Sequence, residues 1–266
     1  MSIQSKIYHM FYLTLNYRIL VSQTKYIFIL SHMRSRSSVL SHVLGSNPDI
    51  YGYSELHYSY KTIIDLIRIK SNLQRELNYP YEDIYLLDKI LHDKFSISKY
   101  ILRTVKPKVF ILVREPYGTL QSIIKMGSIT DIEWYKDPIK AMDYYCKRLL
   151  TLVGYARYLR RNYYFINSDE IIYDTENTLN NISYWLELKT SLQKEYELFE
   201  KSGKPGFGDF STAIRSGIIQ KTHHDNNVSI PTNILETCKH CYETCYDLLS
   251  YFSCNSNTIT NANRIA

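Results

Sequence analysis

The sequence predicts an α/β fold, a parallel β-sheet flanked by helices on both faces. Short β-prone runs alternate with stretches of helical period along the chain, and neither an internal repeat nor a low-complexity linker interrupts residues 20–250. Alternating strands and helices join by right-handed crossovers, which place the strands parallel and the helices on either side. At 266 residues the chain is long enough to bury one sizeable core and reads as a single domain over 1–266.

The first strand is residues 25–30 (KYIFIL), apolar and without helical period. A polar turn and an apolar-periodic stretch over 39–44 follow, making a strand, loop, helix unit. Residues 57–76 place Ile63, Ile64, Leu66, Ile67, Ile69 and Leu73 at helical spacing, and 84–91 (IYLLDKIL) form a second strand. The third strand, 108–113 (KVFILV), is too short for a buried helix and rich in β-branched residues. Helices are expected at 117–126 and 138–161, a strand at 163–167, helices near 175–187 and 191–201, and a helical C-terminal extension over 223–266. Ligands of such sheets bind at the carboxyl ends of the strands, so the loops there are where a site is expected.

Composition excludes collagen, a disordered tail and a disulfide-stapled miniprotein. The 32 basic and 26 acidic residues leave a net charge of +6, which suits a small anionic ligand and falls short of the clustered basic footprint of a nucleic-acid binder. The longest apolar runs, such as 109–113, are far below the roughly 18 residues that cross a bilayer, so no membrane partner is expected. Residues 7–15 are moderately apolar, but Asn16, Tyr17 and Arg18 follow where a cleavage site would need small residues, so the stretch is read as structure. Five cysteines cannot form a full disulfide framework and point to a reducing cytoplasm. The 26 Tyr against 9 Phe offer flat area with a polar tip, suited to lining a pocket or to filling half-exposed sites.

Between the first strand and its helix runs Ser31-His32-Met33-Arg34-Ser35-Arg36-Ser37-Ser38. A helix N-terminus exposes unpaired N–H groups and partial positive charge, and guanidinium forks match tetrahedral anions, so this loop suits a phosphate or sulfate. The alternative is a Ser-rich cap with two solvated arginines. The Gly and Lys of a Walker A loop are missing, which counts against an ATP or GTP hydrolase and against a phosphate-transferring kinase.

The run Met33 to Leu40, followed by Leu44-Gly45-Ser46-Asn47-Pro48-Asp49-Ile50 and Glu55, resembles the 5′-phosphosulfate loop of the PAPS-dependent sulfotransferases. Their usual form is Pro-Arg-Ser-Gly-Ser/Thr-Ser/Thr, then His-Pro-Asp, then a glutamate; this chain departs at Met33, Arg36 and Asn47, with Arg36 replacing a glycine. Arg114-Glu115-Pro116-Tyr117 at the end of the third strand, with Ser122 eight residues after Arg114, is similar to the family's 3′-phosphate site. Residues 165–188 resemble its later strand, turn and helix, and 203–221 the loop that closes over the nucleotide, which makes Arg215 and Lys221 candidates. The resemblance spans about 25–222.

It implies a three-layer, P-loop-like sulfotransferase fold and 3′-phosphoadenosine 5′-phosphosulfate (PAPS) as co-substrate, with no metal. The acceptor would be a hydroxyl or amine of a small molecule, such as a secondary metabolite or toxin. Arg34, Ser35, Arg36, Ser37 and Ser38 would hold the 5′ end, Arg34 stabilising charge, and Arg114 and Ser122 the 3′-phosphate. Glu55 stands where the glutamate-base members keep their base. His92, in Lys89-Ile90-Leu91-His92, is the second candidate, similar to the Lys-x-His of histidine-base members but one residue longer; His57 is the third. A non-catalytic nucleotide- or anion-binding module and a carbohydrate sulfotransferase remain as alternatives, and the sequence assigns no oligomeric state.

Cys238, Cys241 and Cys245 with His240 pose a choice between a zinc site and one buried helix face, and no second Cys pair follows. His223-His224 reads as a surface loop. Asp131-Ile132-Glu133-Trp134-Tyr135, with Asp137 and Asp143, is either a subsite for a cationic acceptor or a helix cap.

Overall fold

Alternate residues along the central strands enter two different cores, and this makes the sheet the middle layer of three. The computed structural model describes residues 24–80, 83–130, 132–204, 209, 211, 213–221 and 228–256. The stretch 7–15, Asp131 and His223-His224 lie outside them. Strands β1 (Lys25–Ser31), β2 (Ile50–Tyr51), β3 (Tyr85–Ile90), β4 (Lys108–Val113) and β5 (Tyr164–Asn167) pair in the order β2-β3-β1-β4-β5. Every pairing is parallel, with Lys25 beside Tyr85, Ile27 beside Lys108 and Phe110 beside Tyr164.

Helices α1 (Ser37–Gly45), α7 (Ser168–Tyr173) and α8 (Thr175–Leu186) cover the face bearing Ile27, Ile29, Leu87, Phe110 and Leu112. The opposite face, with Phe28, Leu86, Val109, Ile111 and Val113, lies under α2 (Ile63–Leu77), α3 (Lys99–Val105), α4 (Pro116–Thr130), α6 (Pro138–Leu159) and α9 (Thr232–Phe252). Both faces are buried, so these strands read as continuous apolar runs. The one-turn helix α5 (Glu133–Lys136) joins α4 to α6. The chain leaves β1 towards β2 and β3, then crosses to β4 on its other side, so strand order switches around β1, where open α/β sheets form a crevice.

Several expectations change. The helix expected from residue 57 starts at Ile63, because the Asp65 carboxylate accepts from the backbone N–H of Lys61 and Thr62, each at 2.9 Å, and closes a capping box. That leaves 57–62 as loop. No helix forms over 191–201: this segment hooks against 213–219, with Tyr196 N–H on Gly217 O at 2.8 Å and Ile219 N–H on Lys194 O at 2.9 Å. Strand β2 and helices α3, α5 and α7 were not anticipated. The C-terminal extension is helical over α9, where Cys238 and Cys245 are buried against α6 and Cys241 is half-buried. Among the described residues no group of His, Cys, Asp or Glu is arranged to hold a metal, and no helix is long and apolar enough to cross a membrane.

Many tyrosines turn out to be core residues with a tethered tip. The Tyr60 hydroxyl donates to Asp88 Oδ2 at 2.6 Å, that of Tyr145 to Arg114 O at 2.7 Å, and that of Tyr163 to Leu249 O. A buried hydroxyl must find an acceptor, so each of these rings fixes the backbone or carboxylate it reaches.

Candidate active site

The loop after β1 takes its shape from hydroxyl bonds and two left-handed residues. Ser31 Oγ donates to Leu112 O at 2.5 Å and lies 2.6 Å from Ser35 Oγ, which ties the loop to β4. Arg34 and Arg36 have φ of 61° and 67°, in the region that favours glycine. α1 starts at Ser37, and Ser37 and Ser38 of its first turn line a cavity of about 860 Å³ together with residues that follow β3 and β4.

Three cations converge on this helix end. Arg34 Nε donates to Ser122 Oγ at 2.7 Å and its Nη1 to Asp209 Oδ1 at 3.1 Å. Arg114, 5% exposed, donates from Nη1 to Arg34 O at 3.1 Å, so the loops after β1 and β4 interlock. Burial first, then the Arg36 charge, pulls the Arg114 pKa down to about 10, still far above neutrality. Its guanidinium lies close over the first turn of α4: a methyl group at Gly118 would stand 2.5 Å from Arg114 Nη2. Pro116 opens that helix, where a missing N–H costs nothing.

The third cation, Lys89, was not foreseen as a site residue. Neighbouring residues of a strand point to opposite faces, so on β3 Asp88 turns towards Tyr60 while Lys89 turns towards α1. Lys89 is 2% exposed and its Nζ donates to Ser38 Oγ at 3.2 Å; burial lowers its pKa. His32 was also missed. Its Nε2 accepts the Arg114 N–H at 3.0 Å, which leaves Nδ1–H to donate to Met33 O at 2.8 Å. Burial drives its pKa down to about 3, so a neutral imidazole couples the loops after β1 and β4. Asp209, contributed by the late loop, accepts from Ser211 N–H at 3.0 Å as well as from Arg34, and its own N–H donates to Ser38 Oγ at 2.9 Å. Burial alone would raise its carboxyl pKa; Arg34 and Ser211 hold it below the ordinary range.

Of the expected ligands, Arg34, Arg36, Ser37, Ser38, Arg114 and Ser122 line the cavity. Arg36 is nonetheless committed elsewhere, because its Nη1 pairs with Asp169 and donates to Ser168 Oγ at 3.3 Å at the start of α7. Three of the expected ligands have side chains placed elsewhere. The Ser35 hydroxyl is fully buried on Ser31 and does not reach the cavity. Arg215 donates to Gly203 O at 3.1 Å, and Lys221 lies 5.4 Å from the Tyr173 ring centre; neither lines the cavity, because the late loop folds these side chains back onto itself and onto α7.

The three candidate bases line the same cavity. Glu55 is 8% exposed, with His57 Nδ1 3.9 Å from its Oε2. His92 packs on Tyr144 with ring centres 5.6 Å apart, and burial, then the Lys94 and Arg148 charges, lowers its pKa to about 4. Beneath them Asp88, fully buried, accepts from Leu56 N–H at 2.9 Å and from Lys89 N–H at 2.7 Å.

Burial raises the Asp88 pKa from 3.8 to about 7, against the pull of its hydrogen bonds. Between these values the folded chain holds a proton that the unfolded chain releases, so the stability Asp88 contributes is present below pH 4 and is lost as pH rises through 7. Thermal melts from pH 4 to 8 should therefore show Asp88→Asn losing less stability with rising pH than the unaltered protein. Parallel curves would show that Asp88 is ionised throughout.

The sequence matches no family model, and no curated protein matches it. Among solved structures the chain is similar to the sulfotransferase domain from the Synechococcus PCC 7002 olefin synthase, at 16% identity over 82% of this chain and 94% of that one, with a TM-score of 0.45.

Proposed function

We propose that this protein is a sulfotransferase that moves a sulfonate group from PAPS to a small-molecule acceptor. The observation that carries the reading is the interlock of Arg34, Ser122 and Arg114 at the N-terminus of α1, opening on the same cavity as Glu55. This cradle offers guanidinium forks and helix N–H groups for a 5′-phosphosulfate and a second anion, as the sequence resemblance implies.

In the transfer the acceptor oxygen attacks sulfur, the bond from sulfur to the bridging oxygen breaks, and 3′-phosphoadenosine 5′-phosphate leaves with the bonding pair. Arg34 stabilises the charge that gathers on the bridging oxygen, and Lys89 holds the Ser38 hydroxyl from behind. Glu55 takes the acceptor's proton, so charge and atoms balance. The remaining work is alignment, which the rigid tie of the β1 loop to β4 supports.

A thermal-shift series tests the binding half: 3′-phosphoadenosine 5′-phosphate should stabilise the protein and ATP with magnesium should not. Mass spectrometry of hydroxylated metabolites incubated with PAPS tests the transfer half by the gain of one SO3. Stabilisation without any transfer would leave a nucleotide-binding module; stabilisation by ATP alone would overturn the reading.

A further inference from the structure

Helix α6 fastens the loops of the cavity and also meets α9 through a pair of thiols. The Tyr144 hydroxyl accepts from Met33 N–H and donates to Leu91 O, each at 2.8 Å, and that of Tyr145 donates to Arg114 O at 2.7 Å. The buried Arg148 donates to Ser31 O at 2.8 Å and to Ile90 O at 2.6 Å. One helix thus holds the ends of β1, β3 and β4, beside Arg34, His92 and Arg114 of the cavity. A contact stretched to about 3.6 Å is no longer a hydrogen bond, so these bonds tolerate only about 1 Å of movement in α6.

Cys146 follows Tyr145 on this helix. Its Sγ lies 4.0 Å from Cys238 Sγ on α9, and Cys241, one turn further along α9, donates from its thiol to Cys146 O at 3.9 Å. Cys146 is half-buried and Cys238 fully buried, so a thiol within reach of a small solute stands against one that is shielded. Among the described residues these thiols are not arranged to hold a metal. The sulfurs of a disulfide are about 2 Å apart, so bridging this pair closes a gap of about 2 Å across the contact of α6 with α9.

We infer that Cys146 and Cys238 form an oxidation site for a small peroxide, and that their disulfide loosens the loops of the cavity through α6. The Cys146 thiolate attacks a peroxide oxygen, the O–O bond breaks, and the departing hydroxide takes up a proton, leaving a sulfenic acid and one water. The Cys238 thiolate then attacks that sulfur, the S–O bond breaks, and the second hydroxide leaves as water. Two thiols lose two electrons and one hydrogen peroxide is reduced to two waters. Cys146 acts first because it is the more accessible, and Cys238 resolves because it is the sulfur placed beside it. The effect on nucleotide affinity rests on the sulfotransferase reading; the disulfide and the loosening of the loops do not.

The test uses the full chain carrying Cys254→Ser, which removes the exposed fifth thiol, treated with hydrogen peroxide. Peptide mapping without reductant should find Cys146 joined to Cys238. Hydrogen exchange should then be about tenfold faster at the amides of Met33 and Arg114, which donate to Tyr144 and to His32 in the reduced protein. Calorimetry should show 3′-phosphoadenosine 5′-phosphate binding at least about fivefold more weakly, the lower end of ordinary coupling between sites, and dithiothreitol should reverse both changes. Cys238→Ala and, independently, Cys146→Ala should keep the exchange rates of the reduced protein in the same peroxide. No bridge, a bridge within α9 or from Cys146 to Cys241, or a Cys146 to Cys238 bridge with unchanged exchange at both amides overturns the inference. Faster exchange with unchanged nucleotide affinity overturns its effect on the cavity. If the bridge and the faster exchange are found but neither form binds the nucleotide, the inference stands and the failure belongs to the sulfotransferase reading.

Discussion

Glu55→Gln should lower turnover on the order of 10²-fold or more while nucleotide affinity survives. Glutamine keeps the shape of the side chain and much of its hydrogen bonding but cannot take the acceptor's proton. The site favours Glu55 among the three candidates because it is a nearly buried carboxylate lining the cavity, whereas His57 is beside it at 3.9 Å and more exposed. His92 is neutral near pH 7, since burial brings its pKa to about 4, and a base that weak takes a proton poorly. His92→Asn should therefore be milder, acting through the packing on Tyr144. Initial rates and nucleotide dissociation constants for both variants decide the matter. A Glu55→Gln protein with most of its turnover, beside a nearly inactive His92→Asn protein, transfers the role to His92.

Arg114→Ala should weaken 3′-phosphoadenosine 5′-phosphate far more than adenosine 5′-phosphosulfate, which has no 3′-phosphate for the guanidinium to hold. Losing a charge-assisted pair that is mostly out of water costs about 1.5–3 kcal/mol, or ten- to a hundredfold in affinity. Both ligands should also lose a smaller common amount, because Arg114 Nη1 supports the Arg34 carbonyl and truncation loosens that loop. The ratio of the two losses carries the assignment, measured by calorimetry on each ligand. Equal losses would mean that Arg114 only shapes the loop.

The central strands and the positions of the loops after β1 and β4 were legible in the sequence, because both depend on neighbours in the chain. Runs such as KYIFIL and KVFILV bury both faces of a strand, and the Ser- and Arg-rich loop leads directly into a helix. The helix expected over 191–201 failed for the opposite reason. Tyr196 and its neighbours satisfy their backbone groups on Gly217 and Ile219, some twenty residues later in the chain, and that pairing outweighs local helical spacing.

The site shows the same division. Arg34, Arg114, Ser122 and Glu55 were named from the resemblance to the PAPS-dependent sulfotransferases, and the fold brings all four to one cavity. Lys89 was hidden inside an apolar strand, and only the alternation of β3 above α1 sends its ammonium to Ser38. His32 looked like a loop residue until β4 placed the Arg114 N–H on its ring. Arg36 had the charge of an anion ligand, but Asp169, more than a hundred residues away in sequence, engages it. The sequence by itself determined the residue types, the strand ends and the helix start that meet at the cavity. Only the tertiary structure decided which charges face the cavity and which neutralise one another, because a buried charge is settled by the partner that packing places beside it, and those partners come from distant parts of the chain.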